Sequence, residues 1–216
     1  MTFISLEKYK CKEILEDEDV LILNKLAYSS YSLYKLQKCT KVPLTSLWRI
    51  INKLIEKEYV LHQRRGIYAL TLKGALALYL TDKEEYKNSA LYFISFLFPY
   101  KNIKNVIDCT INLLLKRNTC ILNLVSLHGF ENVYPYIINA LLQGEKLKPC
   151  MIEFILDNYI DEIPYTSLDG CKLFIVIHNG AKKIVLGKCK VLGNLSNGYC
   201  SHIEKIDEKK MVKIFL

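Results

Sequence analysis

The sequence predicts an α+β chain in two parts, helices with a basic hairpin first and then helices followed by a small antiparallel sheet. Three observations carry that prediction. Apolar residues recur at helical spacing through residues 6–15, 19–28, 31–39 and 43–57, the mark of amphipathic helices. Two short β-type runs, 60–63 and 67–71, flank Arg64, Arg65 and Gly66, and glycine there permits the positive φ of a tight hairpin. Later, strand-like runs at 172–177, 183–191 and 211–216 follow a helical stretch, with Asn179-Gly180 as a turn signal between the first two;.

The elements follow in order. Residues 6–15 and 19–28 read as two helices, the second presenting Val20, Ile22, Leu23 and Leu26 on one face. The next, about 31–39, has Ser29 and Ser30 as candidate caps and turns Leu33 and Leu36 inward;. Pro43 suits the first turn of the following helix, where its missing N–H costs nothing. Leu47, Ile51 and Leu54 give that helix its buried stripe, widened by Ile50 and Ile55. After the hairpin, residues 72–80 return to helical patterning, and the polar break Thr81-Asp82-Lys83 suggests domains at 1–83 and 84–216;. Residues 86–98 form a helix apolar almost all round, through Phe93, Ile94, Phe96, Leu97 and Phe98, which needs cover from a second domain or from its own copy;. Helical segments are expected at 103–117, 132–142 and 150–159.

Charge is concentrated in the first part. Between Lys35 and Lys73 stand nine basic residues against Glu56 and Glu58, a net of +7 in a chain whose total is +8. Three of the four arginines, Arg49, Arg64 and Arg65, lie there. Arginine presents a planar fork of donors suited to phosphate oxygens and guanine edges.

With SLWRIINKLIEKEYV and YALTLKG in view, residues 36–74 resemble the winged helix-turn-helix of prokaryotic transcriptional regulators, especially archaeal and MarR- or PadR-like ones. The first stretch is similar to that family's recognition helix and following turn, the second to its closing strand with a Leu-Thr-x-x-Gly ending. Two positions depart from the pattern: Glu58 stands where glycine commonly follows the recognition helix, and Gln37 where a small residue is common. The resemblance implies a homodimer that binds duplex DNA through residues 32–74, regulates transcription, and uses its second half for dimerisation or for sensing an effector; a cytoplasmic location is expected from the mixed charges of the N-terminus;.

Site residues follow from helical phase and from the resemblance. Thr45, Ser46, Trp48, Arg49, Asn52 and Lys53 occupy the face of residues 43–57 opposite the apolar stripe, with Arg49 the first candidate for guanine O6 and N7;. Trp48 has two open readings, filling the core beside Ile51 or stacking on sugar and thymine methyl. Arg64 and Arg65 at the hairpin tip suit phosphates or the minor groove. Lys35, Lys38 and Lys41 suit phosphates and add salt dependence without sequence information.

Other chemistry is thinner. No cofactor motif occurs: there is no GxxxxGK loop, GxSxG elbow or HExxH pair;. Cys171, Cys189, Cys200 and His202 are zinc-competent residue types without the paired knuckles of structural sites;, so no metal is expected. Glu153, Asp157 and Asp161 recur every four residues, a solvated stripe first and a nuclease's metal-binding carboxylates only second. A replication or partition protein of a plasmid or virus is the alternative to a regulator. The eight cysteines include no CxxC pair, and most read as buried thiols, although a thermophilic origin would admit disulfides whose pairing sequence alone does not give. The N-terminus mixes acidic and basic residues where a signal peptide has an apolar core.

Overall fold

In a computed structural model the chain is α+β. It describes residues 3–100 and 102–126 continuously, single residues between 129 and 151, and the backbone of five later strands. Strands β1 (Phe3–Ser5) and β2 (Ile14–Glu16) pair antiparallel as a ribbon. Helices α1 (Asp17–Leu26), α2 (Leu33–Thr40) and α3 (Leu44–Glu56) follow, then the antiparallel hairpin β3 (Val60–Arg64) and β4 (Ile67–Leu70). Helices α4 (Leu72–Tyr79), α5 (Glu84–Leu97) and α6 (Ile103–Lys116) come next.

The helix expected over residues 6–15 is not there. Its place is taken by the ribbon and a 3-10 turn at Glu7–Tyr9. Lys10 in the left-handed region ends that turn, and Cys11 is drawn inward by a disulfide to Cys120, 109 residues away. Leu6 and Leu15 are buried, as in a helix, but as the inward residues of a ribbon rather than of one helical face.

The cap of α2 is Ser32, whose side chain accepts from Lys35 N–H, rather than Ser29 or Ser30. Leu36 is fully buried and Leu33 half-buried. Lys41 at φ 59° closes the helix, Val42 is buried, and Pro43 caps α3, so three residues make the turn between α2 and α3. On α3 the stripe Leu47, Ile50, Ile51 and Leu54 is buried as its spacing requires.

The motif Leu-Thr-x-x-Gly has a physical cause. Thr71 caps α4 by accepting from Gly74 N–H at 3.0 Å, while its hydroxyl donates to Glu58 O at 2.7 Å. A Cβ on Gly74 would lie 2.2 Å from the Tyr59 carbonyl oxygen, so only glycine lets α4 approach this closely. Its helix is buried on nearly every residue and is the spine of this part of the fold, packed against α1, α5 and the short turn Ile121–Asn123.

Glu58 takes φ 61°. An L side chain in that region costs about 1–2 kcal/mol, and its exposed ion pair with Lys73 offsets little;. Glu58→Gly should therefore raise stability by about 0.5–1 kcal/mol after the entropy glycine adds to the unfolded chain, read as a higher midpoint in a thermal melt followed by Trp48 fluorescence.

By packing, the chain divides into Met1–Ile107 with Ile111–Asn132, and Asp108–Thr110 with Val133–Leu216. The polar break at residues 81–83 lies inside the first unit. Asp82, at φ 67°, receives Lys8, Tyr9 and Lys87, so one residue of the polar break gathers three partners. Helix α5 buries only Ser89, Ala90 and Ile94; Tyr92 is exposed and Phe96 is 83% exposed. Together with Tyr28 and Phe93 they line a groove of about 310 Å³.

The second unit carries a sheet of β5 (Thr166–Leu168), β6 (Cys171–His178), β7 (Lys182–Cys189), β8 (Gly193–Ser196) and β9 (Ile214–Phe215). The expected strands at 172–177, 183–191 and 211–216 correspond to β6, β7 and β9. Neighbours are antiparallel except β9, which runs parallel to β6, so the sheet is mixed rather than purely antiparallel. The helices expected over 132–142 and 150–159, the Asn179-Gly180 turn, and Glu153, Asp157 and Asp161 lie outside the continuously described residues.

Candidate nucleic-acid interface

Helical phase puts Thr45, Arg49, Asn52 and Glu56 on one line of α3, opposite Leu47, Ile51 and Leu54. Thr45, Arg49 and Glu56 are exposed, and Ser46 and Asn52 half-buried. Trp48, whose position sequence left open, is 60% exposed and fills no core. Lys35 and Lys38 are exposed on α2, and Lys41 is exposed in the turn that follows it. Arg64 and Arg65 are exposed at the hairpin end, where Gly66 at φ 71° makes the turn and a register shift between His62 and Arg64 marks a bulge. Bulges sharpen local twist and re-aim side chains.

The hairpin is tied down close to its tip. Tyr31 and Tyr68 exchange backbone hydrogen bonds of 2.9 and 3.0 Å, which joins β4 to the segment leading into α2. His62 and Tyr68 rings also pack, 4.6 Å between centroids. The tip arginines therefore extend just beyond a fixed point of the hairpin.

Electrostatics sorts the nine basic residues into two groups. Lys53 pairs with Asp19 and Glu16, Lys57 with Glu13, and Lys73 with Glu58. Lys35, Lys38, Lys41, Arg49, Arg64 and Arg65 make no ion pair among the described residues, Lys35 lying over the Tyr31 ring. Lys53 is thus the one expected contact residue whose charge is already engaged. Glu16 N–H donates to Asp19, and Asp19 is buried, so the carboxylate that caps α1 also holds Lys53.

Burial lowers the Lys53 pKa, while its bonds to Asp19 and Glu16 raise it; the carboxylates win, and it stands above its ordinary 10.5. A raised lysine contributes stability that is complete below its unfolded value and is lost as pH climbs through the folded one. Lys53→Met should therefore lower stability near neutrality and flatten its fall above about pH 10. Melts of both proteins from neutral to alkaline pH check this; parallel curves would show the pair contributes nothing.

Sequence reasoning missed two features of this surface. Tyr34, 70% exposed, shares the outward side of α2 with Lys38, as their i, i+4 spacing would have indicated. The pairing of Lys53 with a carboxylate 34 residues earlier had no local signal. Arg49 and Lys53 also line a surface cavity of about 360 Å³ with Phe3, Glu16 and Ile50, which brings the ribbon alongside α3.

Among the described residues no group of His, Cys, Asp or Glu is placed to hold a metal ion. Cys171 and Cys189 fall at the same end of β6 and β7 by register, while Cys200 and His202 lie outside the described residues. No described helix is long and apolar enough to cross a membrane. The chain matches no family model, and neither a curated protein nor a solved structure aligns with it.

Proposed function

We propose that residues 32–74 are a winged helix-turn-helix that binds duplex DNA sequence-specifically, and that the protein is a transcriptional regulator. On this reading α3 enters the major groove, Arg49 reads guanine, and Arg64 and Arg65 on the wing meet phosphates or the minor groove. One observation carries it. Of nine basic residues in this stretch, the three engaged internally leave six that are exposed and make no ion pair among the described residues, on α2, its turn, the outward line of α3 and the hairpin tip. Glu56 on the same line of α3 repels phosphate, so the reading places the closest approach at the N-terminal half of the helix.

Two-fold dimerisation would set two such helices about 34 Å apart, so the preferred site is an inverted repeat with half-sites about one helical turn apart. The exposed apolar side of α5 supports association.

Arg49→Ala should relax preference at one base pair by about 1–3 kcal/mol. Arg64→Ala should instead weaken binding to every sequence and reduce the salt slope by about 0.9. Selection from random duplex DNA, followed by titrations of wild type and both variants at several salt concentrations, separates the two effects. Equal binding by all three at moderate salt would falsify the assignment.

A further inference from the structure

The ribbon β1–β2 lies outside the helix-turn-helix and hairpin, yet the ribbon with its loop and the first turn of α1 is bound at two points to α3 and its closing residue Lys57. Lys57 Nζ meets Glu13 Oε2 at 2.7 Å, and Lys53 Nζ meets Asp19 at 2.7 Å and Glu16 at 3.0 Å. Lys53 and Lys57 are one helical turn apart on the same side of α3. A helix held at one point can pivot about it; held at two points a turn apart it cannot, and the buried stripe Leu47, Ile51 and Leu54 opposes roll about the line that joins them. The loop that joins the two strands is secured a second time. Cys11, in the loop between β1 and β2, is bonded to Cys120, and both are buried.

We propose that the ribbon is a brace that sets the orientation of α3. Glu13, Glu16 and Asp19 are positioning residues acting through Lys57 and Lys53, and the Cys11–Cys120 disulfide is the anchor. The inference rests on α3 being the DNA-reading helix. Bidentate contacts to base edges depend on angle, whereas phosphate contacts tolerate it. Loosening the brace should therefore reduce discrimination between sequences more than it reduces binding as such. A dithiol reductant loosens it by giving two electrons and two protons to the disulfide: the S–S bond breaks, two thiols form at Cys11 and Cys120, and the dithiol closes to its own cyclic disulfide. The buried stripe of α3 keeps the helix seated meanwhile.

The test uses the full chain, oxidised and reduced, with Lys57→Glu, Glu13→Lys, the two combined, and the pair Cys11→Ala and Cys120→Ala. Trp48, the single tryptophan, reports whether the fold persists. The ratio of affinities for the best selected duplex and a scrambled one should fall about tenfold in each single charge variant, fall on reduction, and recover in the combined charge swap. Amide hydrogen exchange along α3 should quicken in step. An unchanged ratio on reduction and in Lys57→Glu, or no recovery in the swap, overturns the brace. Should the cysteine-free pair unfold, the charge swap decides alone. Should oxidised wild type prefer no sequence at all, the DNA reading fails, and the brace is judged on exchange: equal protection of α3 in oxidised, reduced and Lys57→Glu protein rejects it.

Discussion

Replacing Cys11 and Cys120 together by alanine should lower the unfolding free energy of the first unit by about 4–5 kcal/mol, the stabilisation expected from closing a loop of roughly a hundred residues. The bond spans 109 residues and both cysteines are buried. It joins the ribbon before α1 to the turn after α6, so the unfolded chain loses most of the conformations available to an open chain of that length. Alanine leaves no unpartnered hydroxyl behind, and the small cavity it creates acts in the same direction. A fall in melting temperature of roughly 10–20 °C is the expected readout for a unit of this size. The same protein in excess reductant should approach the variant. Melts of oxidised and reduced wild type that agree within about 2 °C, or alkylation of both thiols in protein purified without reductant, would remove this staple from the account.

The parts of the fold that sequence made legible are those whose causes are local. The stripe Leu47, Ile51 and Leu54, the tip at Arg65-Gly66, and Thr71 three residues before Gly74 each act within one or two turns, and α3, the hairpin and α4 appear where those signals stand. The ribbon was hidden because the apolar residues of 6–15 read as one helical face, while Cys11 among them is drawn inward by Cys120, 109 residues away. Long-range pairing also decided Lys53. Its phase marked it as an outward cation, and nothing within a few residues could show that the carboxylates capping α1 would claim it. Asp82 repeats the lesson, since a receptor for Lys8, Tyr9 and Lys87 resembles a linker when only its neighbours in sequence are considered. Arg49, Arg64 and Arg65 were legible because exposed cations at a helix face and a turn need no distant partner to stay exposed.

Gly74→Ala should destabilise the first unit by about 3 kcal/mol, with a fall in melting temperature of roughly 6–12 °C. Its reason is steric rather than conformational. Gly74 sits in ordinary helix, where alanine is otherwise the better residue by about 1 kcal/mol. Against that preference stand the Tyr59 carbonyl oxygen at 2.2 Å and the Leu70 side chain at 2.9 Å from the new methyl. A carbonyl in the backbone cannot swing aside, so α4 must retreat from the start of β3, stretching the bonds by which Thr71 holds Glu58 O and Tyr59 O. Gly66→Ala is the contrasting case. Its φ of 71° strains an L residue by about 1–2 kcal/mol, yet nothing lies within 4 Å of its new methyl;. Gly74→Ala should also disturb Tyr59 and Glu58, the residues that carry the chain from α3 into the hairpin, and so, on the proposed reading of α3 and the hairpin as a DNA-binding surface, alter discrimination between duplexes as well as stability. Gly66→Ala should cost the smaller amount with α4 undisturbed. Equal melting temperatures for the two variants, or a Gly74→Ala protein as stable as wild type, would mean that α4 does not approach β3 as closely as these distances require.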